Sequence, residues 1–364
     1  MKYIPLAVAC TTLALLVPLT VAHAGTRWDT IPPDPAKPGD KGTMDKSLVA
    51  NPKKEWLGIG QIATGGFLKG VSTGTLIDAT HVLTCAHTFF QDAENGMGAL
   101  IPNNANFTFT LPEIEPGGSG KDNIFSALTV NIYPDFMDDQ KKGKGHRKVG
   151  FDIAIVTLDR PVPADKTTFY TYNTPKLIQD ERDPKWTKGD GTVKIGFGKA
   201  GDGNGGSTEP SGFKRIISNA VDQFGGQNKL WATKNVNRDD PPPANTLVYD
   251  FSDPTMATSS DLTNAITGKT SAATDREGSP ASGDSGGPMF MKLDGKWILV
   301  GLTSSGTDDK SRYGTVAYDT RVQSYATWIS ATIAAPEPPS LLLILATGLT
   351  GAPLLLRRAR VRTR

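Results

Sequence analysis

The 364-residue chain carries 39 Lys+Arg against 37 Asp+Glu, but six of the bases sit at its two ends (Lys2, Arg357, Arg358, Arg360, Arg362 and Arg364). Residues 25 to 340 hold 33 bases against 37 acids, a balance of −4, which gives no electrostatic footprint for nucleic acid. The 39 glycines and 26 prolines argue against a helical architecture and for a loop-rich β protein of two domains or one two-barrel unit.

Residues 1–24 read as a secretory signal: Lys2, an apolar run from Ile4 to Val21, then Ala22-His23-Ala24 as a cleavage site. Cys10 leaves with that leader. Cys85 then has no partner for an internal disulfide, so the body must be held by its core alone. Residues 25–54 are rich in Pro, Asp, Lys and Gly and read as a linker or pro-segment.

Short β-type runs follow, at Gly58–Ile62, Gly70–Ile77 and Val82–Thr84, the last running into His87. Phe107–Leu111 and Leu128–Tyr133 continue the pattern. The charged stretch Asp138–Arg147 reads as a solvated loop. Asp152 then opens the apolar strand Ile153–Leu158. An acid at such a place pairs or costs stability.

A Pro- and Lys-bearing connector covers 161–190. Strands resume at Val193–Gly198, followed by a flexible loop at Gly201–Gly206. Phe213–Phe224 and Thr246–Phe251 read as strands, and Ala257–Arg276 as irregular. Met289–Met291, Trp297–Leu302 and Gly314–Tyr318 complete the strands, and Val322–Ile333 has helical apolar spacing.

The chemistry concentrates at Gly283-Asp-Ser-Gly-Gly-Pro288. A serine hydroxyl is a poor nucleophile without a base, and the base needs an orienting group. Of the four histidines, His23 is in the leader, His146 lies in the charged loop and His81 reads as a turn residue. His87 follows a strand end after small side chains, which lets its ring enter a cleft. Asp152 is the best-placed orienter. The set is therefore Ser285 as nucleophile, His87 as base and Asp152 as orienter, with the Gly283 and Ser285 amides receiving the oxyanion.

Three stretches carry a family resemblance: Ser72-Thr-Gly-Thr-Leu-Ile-Asp-Ala-Thr-His-Val-Leu-Thr-Cys-Ala-His87, Asp152-Ile-Ala-Ile-Val156 and Gly283-Asp-Ser-Gly-Gly-Pro288. In motif and in order they resemble the chymotrypsin/trypsin-like serine proteases. The resemblance covers roughly residues 56–333. It implies an all-β fold of two perpendicular six-stranded antiparallel β-barrels, roughly 55–165 and 166–333, with a short C-terminal helix. It also implies peptide-bond hydrolysis through an acyl-enzyme, with no cofactor and no metal. Ser304-Ser-Gly306 resembles the family's segment that binds substrate backbone. Asp284 takes the place of an acid that, in many members, pairs with a newly cut N-terminus and supports the oxyanion loop. No Arg-Ile-Val-Gly-Gly-type activation site stands in the chain.

Thr88 and Ala281 occupy places where the family usually has cysteines, so two disulfides are absent and their loops are expected to be freer. Ser279 falls at the pocket floor, and its neutrality argues against Arg or Lys at the cleaved position. Thr303 replaces the histidine of glutamate-specific relatives, which leaves an apolar or small residue. The rival reading is an inactive fold of the same kind serving as an extracellular-matrix binding module. An esterase or lipase would satisfy Gly-x-Ser-x-Gly, but its histidine follows the serine in the chain, whereas His81 and His87 precede Ser285.

Residues 334–364 combine Pro336-Glu337-Pro338, an apolar run Leu341–Leu356 and an Arg-rich end. The run is short for a stable span of about 17 to 25 residues, and its arginines would stay cytoplasmic. The whole tail resembles the PEP-CTERM sorting signal of Gram-negative bacteria. That implies export to the periplasm, transient inner-membrane anchoring, cleavage by an exosortase and release to the cell surface.

Overall fold

A computed structural model describes residues 30–31, 43–44, 54–65, 71–90, 100, 106–112, 122–141, 150–172, 192–212, 214–219, 221, 223–224, 245–251, 278–293 and 295–335. The leader, most of the 25–54 linker, the 257–276 stretch and the tail from 336 lie outside the described residues. Among the described residues no helix is long and apolar enough to cross a membrane.

Two dipeptides, β1 (Thr30–Ile31) and β2 (Thr43–Met44), form a small antiparallel ladder. The first large unit is a closed barrel. Its strands are β3 (Ile59–Gly65), β4 (Val71–Leu76), β5 (His81–Thr84), β6 (Asn106–Thr110), β7 (Ile124–Ile132) and β8 (Ala154–Leu158), in the order β3-β4-β5-β8-β7-β6. Every residue of β8 is buried, which is why its sequence is almost continuously apolar instead of alternating. Leu76, Val82, Phe109, Phe125, Ala154 and Val156 fill the interior. Phe89 meets Phe107 edge to face at 5.0 Å, closing the core just past β5.

The second unit is an antiparallel sheet. Its strands are β9 (Thr192–Gly196), β12 (Arg215–Asn219), β13 (Gln223–Phe224), β14 (Thr246–Asp250), β15 (Pro288–Leu293), β16 (Lys296–Gly306) and β17 (Val316–Arg321). They run in the order β12-β9-β15-β16-β17-β14-β13. The count therefore differs from the expected six, and among the described residues the ladder does not close on itself. Asn219 crosses the seam instead: its Nδ2 donates to Asp250 O at 2.8 Å and to Gly278 O at 2.9 Å. A side-chain amide thus satisfies carbonyls that a closed ladder would have paired.

Two expectations need correction. The Gly201–Gly206 loop is a hairpin, β10 (Ala200–Asp202) with β11 (Gly206–Glu209), turned at Gly206 with φ +77°. Only glycine enters that region freely, so a turn signal stood where flexibility was expected. The start of the charged stretch is helical, in α1 (Pro134–Lys141), opened by a proline suited to a first turn. The last described elements are a 3-10 turn (Val322–Tyr325) and α2 (Ala326–Ala334), matching the helical spacing.

The barrel and the sheet meet near β15. Phe290 packs on Tyr170 and Trp56, with ring centroids 4.7 and 5.5 Å apart. At the same junction Thr73 N–H, in β4, donates to Ser285 O at 2.8 Å.

Candidate active site

His87 sits in a short 3-10 turn (Ala86–Phe89) directly after β5. Asp152 precedes β8, the strand paired with β5 in the register Thr84↔Ala154. That pairing carries the two side chains to the same barrel edge. His87 N–H donates to Asp152 Oδ1 at 2.8 Å, and its Nδ1–H to Oδ2 at 2.6 Å. Ser285 comes from the loop before β15, and its hydroxyl lies 2.8 Å from His87 Nε2. The three residues named from the sequence are therefore joined in one line of hydrogen bonds.

The serine loop is clamped from both sides. Ser285 O accepts from Thr73 N–H and from the Ser72 hydroxyl at 2.6 Å. Gly286 N–H donates to Thr303 O and Gly287 N–H to Asp284 O, each at 2.8 Å. Gly286 has φ +76°, and a Cβ there would stand 2.0 Å from Thr84 Oγ1. Gly283 has φ +102°. Among the described residues, the Gly283 and Ser285 amides meet no acceptor. Two donors beside a nucleophile, free of internal partners, suit a developing oxyanion.

Asp284 is buried between backbone amides. Gly198 N–H reaches Oδ1 at 2.7 Å and Ala281 N–H reaches Oδ2 at 2.8 Å. Burial nevertheless pushes its carboxyl up to about 6, against those two bonds and the nearby Arg215 and Lys194 charges. The resemblance led to an N-terminal ammonium at this acid; the structure gives it two amides from its own fold. Gly196 and Gly198 leave the room, since a Cβ at Gly196 would lie 2.0 Å from Asp284 Oδ1.

Asp152 is 2% exposed, yet its carboxyl lies below the usual range. Burial raises it, but the His87 charge and bonds from His87 and Ser304 outweigh burial. For His87 burial works downward, and the Asp152 carboxylate together with Cys85 more than reverses it, holding the imidazole well above 6.5. The pair is built to carry an imidazolium.

Ser304 was named for the binding of substrate backbone; its side chain, in addition, supports the Asp152 carboxylate, for the hydroxyl donates to Asp152 Oδ2 at 2.6 Å. Thr88, at a position where a cysteine was expected, is bonded to Ser72 Oγ at 2.8 Å and to Cys85 Sγ at 2.9 Å. Hydrogen bonds tether the turn there without a disulfide. Ser279 is 1% exposed, and its hydroxyl has no partner among the described residues. Gly306 ends β16, opposite Ala317. His81 begins β5, and its ring holds Asp78 at 2.8 Å, a local turn role.

Sequence reasoning missed a second cluster. Lys194 Nζ donates to Asp319 Oδ1 at 2.6 Å and to Tyr249, whose hydroxyl donates to the same oxygen at 2.9 Å. All three residues are fully buried in the sheet. Its signal was Lys194 inside the otherwise apolar strand β9.

A family model described as trypsin matches residues 50–329. A curated relative, vitamin K-dependent protein C of Oryctolagus cuniculus, is 45% identical over 64 residues. The aligned part is 16% of this chain and 13% of that protein, so the chain spans only a small fraction of that relative's length.

Proposed function

The chain belongs to the trypsin family, and from that premise we propose that it is a secreted serine endopeptidase acting through an acyl-enzyme. One ring carries the reading: His87 stands between Asp152 Oδ2 at 2.6 Å and Ser285 Oγ at 2.8 Å. Ser285 Oγ attacks the scissile carbonyl carbon while His87 Nε2 takes its proton. Asp152 keeps the other ring proton on Nδ1 and stabilises the imidazolium. The Gly283 and Ser285 amides receive the oxyanion, where one donor is worth roughly 3 to 4 kcal/mol. His87 then protonates the leaving amine. It next deprotonates a water that attacks the acyl ester, and the collapse restores Ser285.

The substrate is a protein or peptide. The backbone at Ser304 and Gly306 would hold it extended. The neutral Ser279 supports a preference for an apolar or small side chain at the cleaved position. The leader 1–24 supports secretion. Pro336-Glu337-Pro338, the apolar run and the Arg-rich end, following one another in the sequence of 334–364, support transient anchoring in the inner membrane of a Gram-negative cell and release by an exosortase.

A chromogenic ester tests the chemistry in the purified secreted chain. The expected result is a product burst of one equivalent per active site, followed by slower turnover. No burst and no turnover would leave the inactive binding module as the reading. Mass spectrometry of the cell-surface form tests the tail. A C-terminus near Pro336–Pro338 is expected, and an intact Arg364 would contradict tail processing.

A further inference from the structure

We propose that Cys85, His87 and Asp152 form an inhibitory site for a thiophilic divalent cation of the zinc class, ligated by Cys85 Sγ and His87 Nε2. Cys85 is fully buried against the catalytic ring, and its sulfur lies 3.8 Å from His87 Nε2. Zinc bonds of about 2.3 Å to sulfur and about 2.0 to 2.1 Å to imidazole, at a tetrahedral angle, separate the two donors by about 3.6 Å. The observed spacing needs only a small adjustment to reach that bite.

The ring is already oriented as a metal ligand requires. A ligating imidazole almost always gives its other N–H to a carboxylate, a backbone carbonyl or a water. Here Nδ1–H goes to Asp152 Oδ2 at 2.6 Å, so in the neutral ring the lone pair is on Nε2, where the cation would displace the Ser285 hydroxyl that lies 2.8 Å away. One donor atom from each of Cys85, His87 and Asp152 lies within 4.8 Å of the others. The His87 side chain is 30% exposed, so water can complete the coordination from the cleft.

Binding replaces the thiol proton, and the Nε2 proton where the ring carries one, by the metal and releases them to solvent. Thr88 Oγ1, 2.9 Å from the sulfur, would turn its one proton from Ser72 Oγ to the resulting thiolate. The cation then occupies the lone pair that must take the Ser285 proton. The chain is switched off by the metal and restored by chelation. This consequence rests on the proposed protease reading, whereas the site itself does not.

The experiment uses Zn²⁺ in chelator-free buffer and follows the rate of fluorophosphonate labelling of the purified secreted chain. Cd²⁺ reports binding separately, through its thiolate charge-transfer absorption. Wild type is expected to lose labelling with Zn²⁺ and regain it with EDTA. In Cys85→Ala the half-inhibiting Zn²⁺ concentration, read against that variant's own labelling rate in EDTA, is expected to rise at least about tenfold, with no Cd²⁺–thiolate band. Cys85→Ser, closer in volume, serves if the alanine variant does not fold. Equal Zn²⁺ sensitivity with and without the sulfur, no sensitivity in wild type, or no thiolate band in folded wild type would each overturn the site. Absence of labelling in wild type under EDTA would count against the protease reading instead, and the Cd²⁺ band would then decide the site alone.

Discussion

Ser304 Oγ donates to Asp152 Oδ2 at 2.6 Å, the same oxygen that receives His87 Nδ1–H. With the His87 amide on Oδ1 at 2.8 Å, a carboxylate that is 2% exposed has three donors. A hydrogen bond to a charged group is worth about 1.5 to 3 kcal/mol. Ser304→Ala is therefore expected to lower kcat/KM about tenfold, by weakening the ion that supports the imidazolium. Steady-state kinetics against the wild type checks this, and an unchanged kcat/KM would remove Ser304 from the account.

Gly283 is held at φ +102°, and a Cβ there would stand 2.9 Å from Gly198 Cα. Gly283→Ala is expected to swing its amide away from the oxyanion position. The predicted loss is about 10² to 10³ in kcat, comparable to removing one oxyanion donor. A variant that melts near wild type but turns over this slowly supports the assignment. Full activity would move the oxyanion site elsewhere.

Asp284 gives the stability a defined pH dependence. Its folded value of about 6 lies above the ordinary 3.8, so the folded chain binds this proton more tightly than the unfolded chain. Its contribution is greatest below 3.8, falls as pH rises to about 6, and is level above. The change across that window is about 3 kcal/mol. Urea unfolding of wild type and Asp284→Asn at several pH values should show the difference between them shifting in that direction. A constant difference would contradict the buried carboxyl.

The Lys194–Asp319 pair is expected to behave as a buried ion pair. Lys194→Met leaves Asp319 and Tyr249 without their cation and is predicted to cost about 3 to 5 kcal/mol. Adding Asp319→Leu should recover much of that loss, because the uncompensated charge goes too. Denaturant midpoints of wild type, Lys194→Met, Asp319→Leu and the double variant test the coupling, and additive losses would show that no such pairing exists.

The site was largely legible in sequence and the supporting polar network was not, for a physical reason. His87, Asp152 and Ser285 each stand at a strand boundary, where small neighbours or an apolar run mark them. Ser304 and Asp152 are 152 residues apart, and Lys194 and Asp319 are 125 apart. No local pattern announces such partners. The β8 strand was legible from its apolar run, whereas the β10–β11 hairpin hid in glycines that read as a loop. Helix α1 hid in charges that read as solvated coil. Among the described residues the second sheet stays open and the Asn219 side chain bridges its seam, which periodicity does not weigh.

The central claim is that Ser285 is a nucleophile activated by His87. The direct measurement is peptide mapping by mass spectrometry after fluorophosphonate treatment of wild type, Ser285→Ala and His87→Ala. The account predicts one adduct, on Ser285, in wild type, none in Ser285→Ala and sharply slowed labelling in His87→Ala. An adduct on another residue, or labelling of Ser285 at the wild-type rate without His87, would contradict it.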